Sequence, residues 1–109
     1  MATKANIVVD QGTTFTTSIY LTDDDGVAID LSGYTGRSQI RKHYTSSNSI
    51  SFTVTLTAIQ GIVTLDLTST QTSALTAGRY VYDVEVVSSS NVVARIIEGN
   101  VTVTPEVTR

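Results

Sequence analysis

The chain contains no cysteine and no tryptophan, and it has one proline and one histidine. Without cysteine there is no disulfide framework and no thiolate chemistry, so stability has to come from an apolar core and hydrogen-bonded ladders. The lone histidine, His43, cannot build a zinc site without cysteine, and no Ser-His-Asp order is visible around it. An exposed place near a strand end suits it better. Lys and Arg number seven against ten carboxylates, for a formal net charge of −3. That balance argues against nucleic acid and against an anionic membrane surface, both of which reward clustered positive charge. The aromatics, five tyrosines and two phenylalanines, are too few for a base-stacking platform. The glycines are scattered, so no phosphate-binding loop can be drawn. No apolar run approaches the ~20 residues that span a bilayer. The opening MATKANIVVDQG also lacks the apolar run of roughly 7–15 residues that marks a secretory signal. On this reading the product is made and left in a cytoplasm, and no metal or cofactor site is expected.

What is present is β-branched. Nineteen threonines and many valines fit a pleated, half-buried surface better than a helix. At 109 residues the chain fits one domain spanning 1–109, large enough for a single core. Strand candidates are Ala5–Val9, Thr13–Thr22, Tyr34–Tyr44, Ile50–Leu56, Ile62–Leu67, Arg79–Val87 and Val92–Thr104, with a short hairpin arm at Val27–Ile29. The clearest alternation places Ile50, Phe52, Val54 and Leu56 on one face, packed across a hairpin on Val63, Leu65 and Leu67. Between Thr68 and Ala77 the two-residue period breaks. Thr68-x-x-Gln71 reads there as a capping box, and Gly78 as the stop of a single helical turn. Seven or so short strands with one helical turn predict an all-β, antiparallel, immunoglobulin-like β-sandwich.

Two acidic groupings invite a chemical reading. In Asp23-Asp24-Asp25-Gly26 the carboxylates are adjacent, and no Glu follows at the spacing a calcium loop needs, so a turn is the better reading. In Ala77–Val86, AGRYVYDVEV, alternation puts Asp83 and Glu85 on one face, about 7 Å apart. That separation suits a glycosidase pair, but such a pair needs one acid buried to raise its pKa, and nothing in the sequence supplies that. Arg37 and Arg41 on the basic segment and Arg95 on the following strand offer cross-strand partners instead. An ion-pair ladder of Arg37, Arg41, Asp83, Glu85 and Arg95 is therefore expected, with no catalytic residue. Tyr80 and Tyr82, on the opposite face, suit a core or a partner surface equally. Ala5–Val9 and Glu98–Val103 are apolar strands near the termini; one of them is expected at an open sheet edge, with Val101 as a possible interface residue.

The stretches DLSGY (Asp30–Tyr34), GRYVYD (Gly78–Asp83) and EGNVTVTPEVTR (Glu98–Arg109) resemble a group of small virion proteins of tailed phages, cyanophages among them. These have an immunoglobulin-like sandwich akin to the N-terminal domain of baseplate upper proteins. The resemblance runs from Gln11 to Arg109 and includes no catalytic signature. It implies a virion structural or accessory protein, associated with tail or baseplate, that docks on other virion proteins or on copies of itself. A head-decoration protein clamping capsid subunits is the alternative. A carbohydrate-binding module is less favoured, because such modules normally use exposed tryptophan.

Overall fold

The computed structural model describes residues 3–23, 25–43 and 45–107. Asp24 in the acidic turn, Tyr44 at the end of the basic segment and Arg109 at the close of the Glu98–Arg109 stretch lie outside the described residues. The strands are β1 (Thr3–Lys4), β2 (Ile7–Asp10), β3 (Phe15–Tyr20), β4 (Thr35–Arg41), β5 (Ile50–Ser51), β6 (Thr53–Thr57), β7 (Ile62–Leu67), β8 (Gly78–Val87) and β9 (Val93–Thr104). A five-residue helix, α1 (Ser69–Ser73), joins β7 to β8, and a single 3-10 turn at Ala58–Gln60 joins β6 to β7. The larger sheet runs β1/β2–β9–β8–β4–β5, and the smaller runs β3–β7–β6. This is the all-β sandwich expected, with the strand neighbours of an immunoglobulin domain. No helix of the described residues is long and apolar enough to cross a membrane.

Alternation sets the layers. Along β7, Val63, Leu65 and Leu67 are buried while Ile62, Thr64 and Asp66 are half-buried; along β8, Tyr82, Val84 and Val86 turn inward. In β3 the half-buried Phe15, Thr17 and Ile19 alternate with the exposed Thr16, Ser18 and Tyr20. The Ile50–Leu56 pattern keeps its facing but not its sheet. β5 pairs with β4, setting Ile50 opposite Ile40, and Phe52 N–H donates to Ser38 O at 3.0 Å. Beyond Phe52 the chain changes sheet, and Val54 and Leu56 sit opposite Leu65 and Val63. A period of two reports which way a side chain points and says nothing of which neighbour its backbone bonds.

Several expectations need correction. β9 is an interior strand, bonded to β8 on one side and to β1 and β2 on the other, and Val101 is fully buried opposite Ile7 and Tyr80. Val101 is therefore a core residue and not an interface residue. The edge role falls to the other terminal segment, Ile7–Asp10, which runs parallel to β9. The Val27–Ile29 arm is reduced to one antiparallel bridge, Thr22 to Ala28, flanked by Asp23 N–H donating to Val27 O at 2.8 Å and Ile29 N–H donating to Leu21 O at 3.0 Å. The helical turn ends before Gly78, which opens β8 with φ +143°. Its predicted capping box is present: Thr68 Oγ1 accepts from Gln71 N–H at 3.2 Å, and Gln71 Oε1 accepts from Thr68 N–H at 2.9 Å.

Two glycines are fixed by crowding. Gly61 has φ +64°, and a Cβ there would lie 2.7 Å from the carbonyl oxygens of Leu21 and Ile29, where the β3–β4 connection folds over the end of β7. At Gly99 a Cβ would come 2.1 Å from Ala5 O. That approach lets the first strand break between β1 and β2, where Asn6 Oδ1 accepts from Asn100 N–H at 3.0 Å.

Phe52, 5% exposed, packs between Phe15 of the smaller sheet (ring centroids 6.3 Å apart) and Tyr82 of the larger (5.9 Å, edge-on). Phe52→Ala is expected to cost about 3–5 kcal/mol, read from urea unfolding midpoints. An unchanged midpoint would show that the ring does not couple the sheets.

Candidate functional site

The paired acids lie on the solvent face of β4, β8 and β9. Arg37 and Glu85 are direct cross-strand partners, and Arg37 Nε donates to Glu85 Oε1 at 2.8 Å. The β8–β9 register shifts between Val84 and Glu85, which pair with Ile97 and Arg95, so Ile96 is the extra residue of a bulge. Arg95 reaches along the strand from that bulge. Its Nε lies 3.3 Å from Asp83 Oδ2, and its Nη1 lies 3.3 Å from Glu98 Oε2. Three carboxylates thus share two guanidinium groups. Arg41, expected in the ladder, is not part of it. Its guanidinium donates to Ser46 O and to Gln39 Oε1, drawn off by the turn that follows β4. Exposed pairs of this kind contribute about 0–1 kcal/mol each.

The environment of Asp83 was not visible in the sequence. Burial raises its carboxyl above the ordinary carboxylate value, Glu85 adds to the rise, and Arg95 opposes it. Glu98, directly opposite in the ladder, raises it further, while Arg37 lowers it. Burial is the main cause, and the bulge adds to it by placing Glu98 level with Asp83. An open depression of about 410 Å3 beside these acids is lined by Arg37, Gln39, Ser51 and Phe52 among others. Among the described residues no group of three or more His, Cys, Asp or Glu side chains could hold a metal ion. Asp23 closes its turn by accepting from the N–H groups of Asp25 at 2.9 Å and Val27 at 3.0 Å.

The tyrosines divide. Tyr82 is 3% exposed, and its hydroxyl donates to Ala5 O at 2.6 Å, so it is a core residue tying the first strand down and not an interface residue. Burial pushes its phenol up to about 12. Tyr80 is half-buried at the start of β8, and its hydroxyl donates to Thr76 O at 2.7 Å, the reach of a tyrosine corner. Lys42 Nζ stands 4.8 Å from its ring centroid and donates to Arg79 O. His43 is exposed and lies beyond the end of β4.

The edge expected at one terminal segment is found at β2, but the sequence reading missed the edges of the smaller sheet. The larger sheet ends in the broken β1/β2 segment and in the two-residue β5, both short. The smaller sheet ends in β3, FTTSIY, and β6, TVTLT, which contain no charged residue and no proline. Leu21 N–H donates to Gly61 O, one step past the Tyr20–Ile62 pair. By antiparallel alternation the main-chain groups of Thr16, Ser18 and Tyr20 then point away from β7, along the edge. The signal was present in TTFTTSIYLT, ten residues without a charge.

No family model and no curated protein matches the chain. Among solved structures, an internalin-like protein of Listeria monocytogenes superposes with a TM-score of 0.50 at 16% identity, over 96% of this chain and 28% of that one. The chain thus spans little more than a quarter of that protein, and the likeness is one of fold.

Two pH-dependent outcomes follow from the shifted groups. Both pKa values are raised in the fold, so the stability attached to each is complete below its unfolded pKa and lost as pH rises through the folded value. Tyr82→Phe is expected to cost about 0.5–1.5 kcal/mol at neutral pH through the lost hydrogen bond. Its deficit should narrow above about pH 10, where only the wild type loses the phenol's contribution. For Asp83→Asn the variant should gain on the wild type as pH rises through and above the ordinary aspartate value of about 4, read from thermal midpoints. A variant that loses ground over that rise would show that the Arg95 pair outweighs burial.

Proposed function

We propose that this chain is a non-enzymatic structural module of a tailed-phage virion, associated with the tail or baseplate, which docks on other virion proteins or on copies of itself. The observation that carries the docking reading is the unguarded β3 edge. It has six residues, no charge, no proline, and a row of main-chain groups facing away from its own sheet. Natural sheets normally blunt such an edge with lysine, proline, a bulge or a cover. An added strand would satisfy those groups by main-chain hydrogen bonds, without special side chains. The virion assignment is supported by the resemblance, whose stretches fall on the connection into β4, the start of β8 and β9. The acids of β8 support a structural reading because each has an arginine partner.

The test is quantitative mass spectrometry of purified particles carrying the wild type or Ser18→Pro. Ser18 N–H is not used by β7, so the variant is expected to unfold near the wild-type temperature and yet to be depleted from particles. Ser18→Lys, which guards the edge without touching the backbone, serves as the second variant should proline disturb the strand. Wild-type incorporation of folded variants would show that this edge is not the dock. Absence of the wild-type chain from every particle would overturn the virion reading. A copy number matching that of the capsid subunit would replace tail by head decoration.

A further inference from the structure

The exposed apolar side chains are not evenly spread. Of nine large hydrophobic residues exposed among the described ones, seven lie at one end of the sandwich: Tyr20, Val27, Ile29, Tyr34, Ile59 and the Val92–Val93 pair. Pairing fixes that end. β3 finishes at Tyr20 opposite Ile62, where the Ala58–Gln60 turn leads into β7. Leu31 N–H donates to Ala58 O at 2.8 Å, which holds the β3–β4 connection there. Four residues later β4 begins at Thr35 opposite Val87, where β8 turns into β9. Ile59 is 77% exposed at the middle of its turn, and Val27, 60% exposed, follows Gly26 at the tip of another. Neither packs on the core, and the turns they occupy need no large apolar side chain.

The charge of the same end is one-sided. Residues 21–34, 58–61 and 88–92 contain four aspartates and no lysine, arginine or histidine. Asp23, Asp25 and Asp30 are exposed. Hydrogen bonds from Ser32 hold the Asp30 carboxyl below its ordinary value. The nearest cations, Arg37 and Arg95, are already engaged by Glu85, Asp83 and Glu98.

We infer that this loop end, which meets the β3 edge only at Tyr20, is a second docking surface that receives a protein surface with an apolar centre and a lysine- or arginine-rich rim. An apolar patch with a polar rim is the anatomy of an interface, and the aspartates set the sign of its partner. The same end of a second copy would bring like charges together, and an anionic bilayer would be repelled. The inference takes from the docking reading its premise that the chain works by association, and nothing about which edge is used.

The test uses the full chain labelled with 15N and three probes: an amphipathic helical peptide of leucine and lysine, its leucine–glutamate counterpart, and phosphatidylserine–phosphatidylcholine vesicles. The Leu/Lys peptide should shift amides confined to the 20–35, 58–62 and 87–93 segments, with an affinity that falls as salt rises. Asp25→Lys with Asp30→Lys should transfer the preference to the Leu/Glu peptide. Val27→Ser with Ile59→Ser and Val92→Ser should weaken binding on the order of tenfold or more, leaving strand amides unmoved because none of these side chains is in the core. Shifts elsewhere, no shift, equal response to the two peptides, or tighter binding to the vesicles would each overturn the proposal. Those results leave particle incorporation untouched, and failed incorporation of Ser18→Pro leaves this surface untouched.

Discussion

The fold turns on one aromatic contact that crosses between its sheets. Phe15 belongs to the smaller sheet, Tyr82 to the larger, and Phe52 lies between them at the point where the chain changes sheet. Tyr82 follows the corner tyrosine, Tyr80, by two residues. In antibody domains that is the place of a cysteine of the inter-sheet disulfide. A chain without cysteine meets the same need with ring area, and edge-to-face packing fixes the sheets' relative position by shape. The Tyr82 hydroxyl extends the contact to Ala5, so the N-terminal strand is anchored through the same residue. The bare face of Gly99 leaves the room that Ala5 O requires.

The bulge at Ile96 is the second constraint. By inserting one residue it sets Glu98 opposite Asp83 and turns Arg95 diagonally between them. Acids that alternate like a catalytic pair therefore become a shared ion-pair cluster on a sheet face. Burial holds the Asp83 carboxyl above its ordinary value, and the neighbouring carboxylates add to the rise.

The sheets also differ in how they end. The larger one tapers into short or broken strands, whereas β3 and β6 leave the smaller one with uncharged margins. Its outer surface is mostly hydroxyl, with Ser18 Oγ and Thr64 Oγ1 3.0 Å apart and Asp66 the one acid among the residues of these strands. Apolar side chains are left instead to the loops at one end. These exposed groups lie outside the core cluster.

The sequence by itself determined what depends on neighbours along the chain. Alternation fixed which way Phe15, Ile19, Phe52, Leu65, Tyr82 and Val84 face, because the strand period is two whatever the partner. Local hydrogen-bonding chemistry fixed the Thr68–Gln71 box and the acidic turn. What depends on partners far along the chain was decided only by the tertiary structure. Val101 and Ile7 look alike in sequence, yet one is interior and the other at an edge, because β9 lies between β8 and the first strand. Arg37 and Arg41 are both basic residues of one strand, yet only Arg37 meets Glu85, since the turn after β4 draws Arg41 to Ser46 O. Tyr82 could have served a core or a surface until a carbonyl 77 residues away received its hydroxyl. Facing is a property of a strand; register, sheet membership and pairing are properties of two.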